Sequence, residues 1–522
     1  MRNCILLFLV FSLFLLGGCN NNDKQSSSSK KIEIGKANDP QTEKLSSGND
    51  IADKRIGVML GSVHDAYAKK HYPNTEILQY QTAPDLIMAL CSGKTDVAII
   101  GNITLGEIRK TNDRIGILVD SIYTNPLGIG FNKENADMRD KFNIFLSKIK
   151  KDGTYDDMVD RWIKKSNYKM PLIKTSGKNG TLTVGVVTSS GTPFSGIENG
   201  KNIGFDIELS TRFAAELGKE FVPLDLVFSS VLASLKTNKI DMSACGMMIT
   251  EERKKQICFS DPYYAASACI IALKKNMSAY GNYEEKKDEK SFVTAVSESF
   301  YNNIVLEKRY LLILEGLKLT ILISLFSSIV GTLIGAVICG MRMSRNKMLS
   351  VTARSYISVL RGIPVLVLLM LIYYVVFGSV NINPAVVAVF AFGLNFGAYV
   401  SEMFRTSIES VAHGQKEAGI ANGFNKTQTF VHIIMPQALR HLLPVYKGEL
   451  ISMLKMTSVV GYIAVQDLTK ASDIIRSRTF DAFFPLLTAA MLYLILSWLL
   501  TWGLDYVEGM VDPEKRRMKR SV

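Results

Sequence analysis

The chain has 522 residues, 47% hydrophobic and 21% charged, with a formal net charge of +13. That length suits several domains of ~150 residues, and so apolar a composition does not suit a wholly soluble protein. The basic excess lies beside apolar runs, at Arg342, Arg345, Lys347, Arg354 and Arg361 and again at Lys515, Arg516, Arg517, Lys519 and Arg520. Cations placed there orient spans in a bilayer and do not form a nucleic-acid surface.

The apolarity is uneven: residues 20–310 alternate charged and apolar positions, whereas 311–504 hold nearly all the long uncharged runs. A soluble half followed by a membrane half is expected. The seven cysteines include no CxxC pair, and the five histidines form no metal-ligand set. Cys258 and Cys269 are candidates for a disulfide after export, but the scattered set reads mostly as small buried hydrophobes.

Met1–Cys19 begins with one cation, Arg2, followed by the apolar run Ile5–Leu16 and then Gly17-Gly18-Cys19. The run is too short to span a membrane and suits a signal-peptide core. The ending resembles a bacterial lipobox, which implies lipidation at Cys19; the alternative is an ordinary signal or a retained anchor. Residues 20–50, with Ser26–Ser29, read as a flexible tether, which puts 20–310 on the outer side of the membrane.

Residues 54–101 read as strand Arg55–Met59, helix Asp65–His71, strand Thr75–Tyr80, helix Ala83–Cys91 and strand Thr95–Ile100. A second α/β pattern runs through 182–260, with strand Leu182–Val187, helices Ile207–Leu217 and Val231–Lys236, and strand Asp241–Gly246. Such alternation predicts parallel α/β sheets.

Gly204-Phe205-Asp206-Ile207-Glu208-Leu209, Ile249-Thr250-Glu251-Glu252-Arg253 and Phe259-Ser260-Asp261-Pro262-Tyr263-Tyr264 resemble lobe one of the bacterial amino-acid-binding proteins. Lys54–Val58 with Gly61-Ser62 resembles the start of lobe two in that family, and Asp152–Met158 with Trp162 its closing helix. The resemblance implies a two-lobed periplasmic-binding-protein-like domain. The order departs from the family, because lobe two with the closing helix (51–165) precedes lobe one (181–276), joined by a linker at 166–180. One circularly permuted domain is expected, with two truncated domains as the rival. Of the two family crossings, resembled by Leu127–Phe131 and Ser267–Leu273, only the first is expected to link the lobes covalently.

By that resemblance Arg253 clamps a ligand carboxylate, since guanidinium donors match two carboxylate oxygens. Phe228 stacks on the ligand, and the Gly246 backbone and the Ser62 hydroxyl supply further contacts. Three positions depart from the pattern. Gly101, followed by Asn102, stands where the family has an aspartate for the ligand ammonium, Gly191 where a second aromatic is usual, and Met248 where Ser or Thr is expected. Asn102 or His64 is left to replace the missing aspartate by neutral hydrogen bonds. A polar amino acid is the first expectation for the solute, and a carboxylate without the amino group the second.

After a linker at 277–310, the region 311–508 reads as an all-α transmembrane domain of five helices. The spans are Leu319–Gly340, two within Gly362–Ser401 divided at Asn381–Pro384, Leu443–Val465 and Ala482–Leu504. Met341–Arg361 and the basic tail 509–522 then fall inside the cell. Between spans three and four stand Glu417-Ala418-Gly419, Gly423, Phe424, Ile433 and Pro436. Their spacing resembles the EAA loop of ABC importer permeases, which implies docking of an ABC ATPase. The chain has no G-x-x-x-x-G-K-[ST] phosphate loop. A separate ATPase carrying ATP and Mg2+ is therefore expected, with no cofactor and no enzymatic activity in this chain; five spans are half of the usual pore, so a second permease copy is expected as well.

The expected whole is a multi-pass protein of a bacterial inner membrane that imports a small polar solute. The alternative, a ligand-gated channel, has Ser458-Val459-Val460-Gly461-Tyr462 as its only filter-like string. That string lacks the closing glycine and lies inside a span rather than in a re-entrant loop.

Overall fold

The computed structural model describes residues 44–165, 169–281, 283, 292–378, 380, 382–479, 481 and 483–511. Cys19, the rest of the signal segment, most of the tether and the basic tail lie outside the described residues. The strands are β1 (Ile56–Met59), β2 (Ile77–Tyr80), β3 (Val97–Gly101), β4 (Ile115–Leu127), β5 (Gly130–Phe131) and β6 (Thr181–Val186). They continue as β7 (Gly196–Glu198), β8 (Lys201–Ile203), β9 (Glu220–Asp225), β10 (Met242–Ser243), β11 (Cys258–Phe259) and β12 (Tyr264–Leu273).

Two five-stranded sheets form, in the orders β2-β1-β3-β12-β4 and β11-β5-β10-β6-β9, beside the β7-β8 hairpin. The first sheet builds lobe two and the second lobe one. Within each, β1, β2 and β3 run parallel, as do β10, β6 and β9. Strands from both halves of the sequence share these sheets, so 51–165 and 181–276 fold together as one two-lobed domain.

The boundary between lobes differs from the expected one. β12 belongs to the first sheet, antiparallel to β3 and β4, with Ala268 opposite Gly101 and Tyr264 opposite Leu127. Its apolar run needs cover on both faces. Ala268, Ile270 and Ala272 pack on one side, and Cys269, Ile271 and Leu273 on the other, the period-two signature of an interior strand. The chain therefore crosses between lobes twice, at Leu127–Gly130 and again between Phe259 and Tyr264, where one crossing was expected. The helices Ala136–Lys151 and Thr154–Val159, with the wide helical turn Asp160–Lys164 that follows, pack on lobe one through Phe142, Phe145, Met158 and Trp162. Inside that core the Trp162 indole donates to the buried Glu208 carboxylate at 2.7 Å. Arg161 and Arg212 also pair with Glu208. Both ends of the binding domain lie on lobe two: the Leu45 amide donates to Asn276, and the Ser278 amide to Leu45.

Cys91, Cys245, Cys258, Cys269 and Cys339 are free thiols, so the candidate Cys258–Cys269 disulfide is absent. β11 and β12 put the two residues in different sheets.

Among the described residues three helices are long and apolar enough to cross a membrane, Tyr310–Arg342, Pro384–Glu409 and Phe483–Met510, and counting each of two bent pairs as one span brings the number to five. In the first bent pair Lys347–Gly362 meets Val365–Val376 at 107°. Pro364 sits at the break, where its ring disfavours helix in the preceding residue. The stretch expected as the loop 341–361 is thus largely an amphipathic helix. In the second pair, Lys426–Ile463 and Leu468–Thr479 meet at 53°, with Ala464 at φ 64° in the break. The α-helical part of the fourth span begins at Met435, earlier than the expected Leu443, with Pro436 just after the wide π-turn Phe430–Ile434, a local irregularity that suits a residue without an N–H to donate.

The first and third spans touch backbone to backbone. A Cβ on Gly331 would lie 2.8 Å from the Gly393 carbonyl, and one on Gly397 would lie 3.1 Å from the Gly331 carbonyl. Gly331 and Gly335 face Gly393 and Gly397, so two small-xxx-small faces allow this approach. The filter-like string lies in the tight helix Thr457–Ile463. Its carbonyls take part in helical bonding instead of lining a pore, which removes the support for a channel.

Candidate functional site

A cavity of about 120 Å³ lies between the lobes, roughly ten times the space one water requires. Arg253, Phe228, Gly246, Met248, Ser62 and His64, the ligand contacts expected from the sequence, all line it. Asn102 does not: it is exposed, in the first turn of the helix Asn102–Thr111, and Thr104 lines the cavity from that helix instead. Phe194, Thr192 and Cys245 also line it and were missed. Phe194 follows Pro193 at the mouth of lobe one, and its ring lies 3.6 Å from where a Gly246 Cβ would be.

The helix Glu251–Lys254, capped by the Thr250 hydroxyl, carries Arg253 into the cleft. The guanidinium is buried and donates to the Met248 carbonyl at 3.0 Å. It also reaches across to the Gly61 carbonyl of lobe two at 3.2 Å. It lies 5.4 Å from the Phe228 ring centroid. Among the described residues no carboxylate is within ion-pair distance of it, and burial holds its pKa below the ordinary value. A buried, carboxylate-free guanidinium is a strong anion site.

The opposite end is neutral. His64 Nδ1 is 2.6 Å from the Tyr123 hydroxyl. Burial, then the Arg253 charge, pushes the imidazole down to about 4, so it is uncharged at neutral pH. Among the described residues no aspartate or glutamate lines the cavity. Gly101 leaves open space, since a Cβ there meets only the Thr104 hydroxyl at 3.9 Å.

Two expected contacts are already engaged within the protein. The Ser62 hydroxyl donates to the Met59 carbonyl at 2.6 Å and accepts from the Asp65 amide at 3.2 Å, capping the helix Val63–His71. The Gly246 amide donates to Asp206 Oδ2 at 2.6 Å. Burial pushes the Asp206 carboxyl up to about 7, against the lowering effect of that amide.

On the other side of the membrane half, Glu417, Ala418 and Gly419 lie in the helix His413–Ala421, and Gly423 (φ 84°) makes the left-handed turn that ends it. Gly419 replaces the alanine of the loop pattern for a local reason. A Cβ there would lie 2.7 Å from Thr429 Cγ2 and 2.8 Å from Ile433 Cδ1. Glu417 is exposed, with His413 Nδ1 3.2 Å away, and Phe424 is partly exposed. A groove of about 620 Å³ runs beside this helix, lined by Met343, Ile408, Ile420, Phe430 and Ile434.

The two halves meet through the helix Leu468–Thr479, which lies between the expected fourth and fifth spans. It packs against both lobes: Lys470 pairs with Asp225 at 3.4 Å, both nearly fully buried. Arg478 donates to the Thr192 hydroxyl at 3.2 Å, and Arg476 pairs with Asp85.

Comparison with known proteins agrees with both halves. Residues 182–430 match the bacterial extracellular solute-binding proteins, family 3. The Rickettsia prowazekii permease protein GlnP, whose name refers to a glutamine transport system, is 34% identical over 202 residues, 38% of this chain and 93% of that protein. The L-cystine transport system permease protein TcyB of Bacillus subtilis is 35% identical over 199 residues, 38% of this chain and 85% of that protein. A solved amino acid ABC transporter crystallised with histidines is 33% identical, covering 42% of this chain and 98% of that one, at a TM-score of 0.37. With a two-lobed solute-binding domain joined to this membrane half, the chain belongs to the permease family of amino-acid ABC transporters.

Proposed function

We propose that this chain captures a small carboxylate-bearing solute, a polar amino acid first, outside a bacterial inner membrane and passes it through its own spans. The observation that carries the substrate class is the buried Arg253 guanidinium, which faces the cleft beside Phe228 with no carboxylate partner among the described residues. The glutamine and cystine systems in the relatives' names support an amino acid. The neutral lining at Gly101 and His64 favours the second reading, a carboxylate without the ammonium.

An ABC ATPase docks on the loop from Glu417 to Pro436, where Glu417 and Phe424 are exposed in and just after the helix that borders the groove. ATP and Mg2+ belong to that partner, and two copies of this chain complete the pathway. The binding domain is a circular permutant: the closing helices on lobe one precede β6 in the chain, through a connector at 166–180.

Calorimetry on the full chain with glutamine, glutamate, cystine and their deaminated analogues tests the substrate. Tight binding that needs the amine establishes an amino acid. Preference for the deaminated analogue establishes the second reading, and binding of neither class refutes the proposal.

A further inference from the structure

The contacts between the binding domain and the membrane half are unequal for the two lobes. Lobe one is held at several places. Lys470 and Asp225 form an ion pair in which each side chain is only 3% exposed, so breaking it strands a buried charge. Asp225 is itself fixed by the Thr188 amide and hydroxyl at 2.9 and 2.7 Å. Arg478 binds Thr192 and approaches Glu198. On the far side Lys239 donates to the Phe377 carbonyl and, at 2.7 Å, to the Val380 carbonyl, with its ammonium over the Tyr373 ring. The Ser234 hydroxyl is 3.4 Å from that of Tyr374.

Lobe two is held differently. Among the described residues its ion pair to the membrane half is Asp85 with Arg476. Asp85 stands in the first turn of the helix Ala83–Cys91, where the Thr82 hydroxyl donates to its carboxylate at 2.7 Å. Its side chain is 26% exposed, so water can replace Arg476 around it. Arg476 in turn keeps a second carboxylate, Asp473, at 2.9 Å. Neither charge is stranded when the pair separates, so the contact can break and re-form with cleft motion, unlike the Lys470–Asp225 pair.

We propose that lobe one is the fixed lobe and lobe two the swinging lobe, and that Arg476 is the positioning residue that grips Asp85 only when the cleft is closed. The helix Leu468–Thr479 continues from the fourth span across the break at Ala464. Closure of lobe two is thereby registered on a membrane helix, in the manner of hinge closure around a ligand. Arg478 meets Thr192, a cavity-lining residue, on the same helix, so both walls of the cleft report to one element. The inference makes no assumption about which solute binds, and its test stands whether or not the substrate reading survives.

The test measures the distance between spin labels placed at exposed Lys70 on lobe two and Lys141 on lobe one, in the full chain in lipid nanodiscs. Asp85→Asn preserves the helix cap, and Arg476→Gln removes the grip. Each is expected to lower the closed-to-open ratio by up to about fivefold, as for an ion pair with one partner partly hydrated. The double variant is expected to match the singles, because both remove one interaction. Arg476→Lys is expected to restore part of the ratio, and Lys239→Ala, at the fixed lobe, to leave it as in the wild type. An unchanged ratio in the single variants, additive effects in the double, or an equal effect of Lys239→Ala would each overturn the proposal.

Discussion

Replacing Asp206 by Asn removes a titration buried in lobe one. Its carboxyl is fully buried and moves from an ordinary 3.8 to about 7. Ionising it inside the fold is unfavourable, so the stability it permits is complete below 3.8 and lost as pH rises towards 7. At ~1.4 kcal/mol per pH unit this amounts to on the order of 4 kcal/mol across that window. His64 works in the opposite sense. Its imidazole is held at about 4 against an ordinary 6.5, so its contribution is complete above 6.5 and lost as pH falls through 4. Between pH 4.5 and 6.5 the two slopes oppose each other, and the wild-type binding domain is expected to show little net change from them. Asp206→Asn is isosteric and still accepts from the Gly246 amide. It is expected to unmask the histidine slope, so that stability rises with pH, whereas His64→Gln is expected to make stability fall. Trp162 lies in the same lobe beside Glu208, and the other two tryptophans, Trp498 and Trp502, lie in the last membrane helix. Urea titration followed by Trp162 fluorescence, with those two changed to Phe, reads the binding domain alone. Parallel pH curves for wild type and Asp206→Asn would refute the argument.

Arg253→Ala is expected to weaken solute binding by calorimetry more than tenfold, since losing one side of a buried charged contact costs roughly 2–5 kcal/mol. Gly101→Asp has room for its side chain and is expected to raise affinity for amino acids over deaminated analogues by about tenfold; an unchanged ratio would show that the ammonium sits elsewhere. Gly419→Leu drives a side chain into Thr429 and Ile433, and is expected to abolish solute-stimulated ATPase activity in reconstituted transporter while solute binding stays normal. Reporter fusions after residues 345 and 415 are expected to read as cytoplasmic, and an external signal at either would reverse the topology.

Local elements were legible because they follow from local pattern. The helices Ala83–Cys91 and Val231–Lys236 lie where the sequence places them, and the Asn381–Pro384 break yields a helix start at Pro384, capped by Asn383. Pairing between distant segments was not legible. The apolar alternation of Tyr264–Leu273 announces a strand, but nothing local says that its neighbours are β3 and β4 and not the strands of lobe one. Residue identity placed Ser62 and Gly246 in the cleft correctly, yet it could not show that their polar groups are taken by a helix cap and by Asp206. The helix Leu468–Thr479 was harder still. Lys470, Arg476 and Arg478 look like a solvated connector, and their burial comes from the other half of the molecule. The available signal was Ala471, Ile474 and Ile475 at helical spacing, which pack with Ile197 and Leu312.

Both ends of the binding domain leave from lobe two, where Leu45 pairs with Asn276 and Ser278, and the chain then runs on to the first span. Tethering of this kind replaces a diffusional encounter by an effective local concentration in the millimolar range. A receptor that arrives by diffusion needs a docking interface strong enough to work at its bulk concentration. A tethered one needs only a small preference for contact, which a few ion pairs and a lysine cap supply. Under the proposed function each permease also keeps its own receptor, so empty receptors from the bulk cannot crowd out loaded ones.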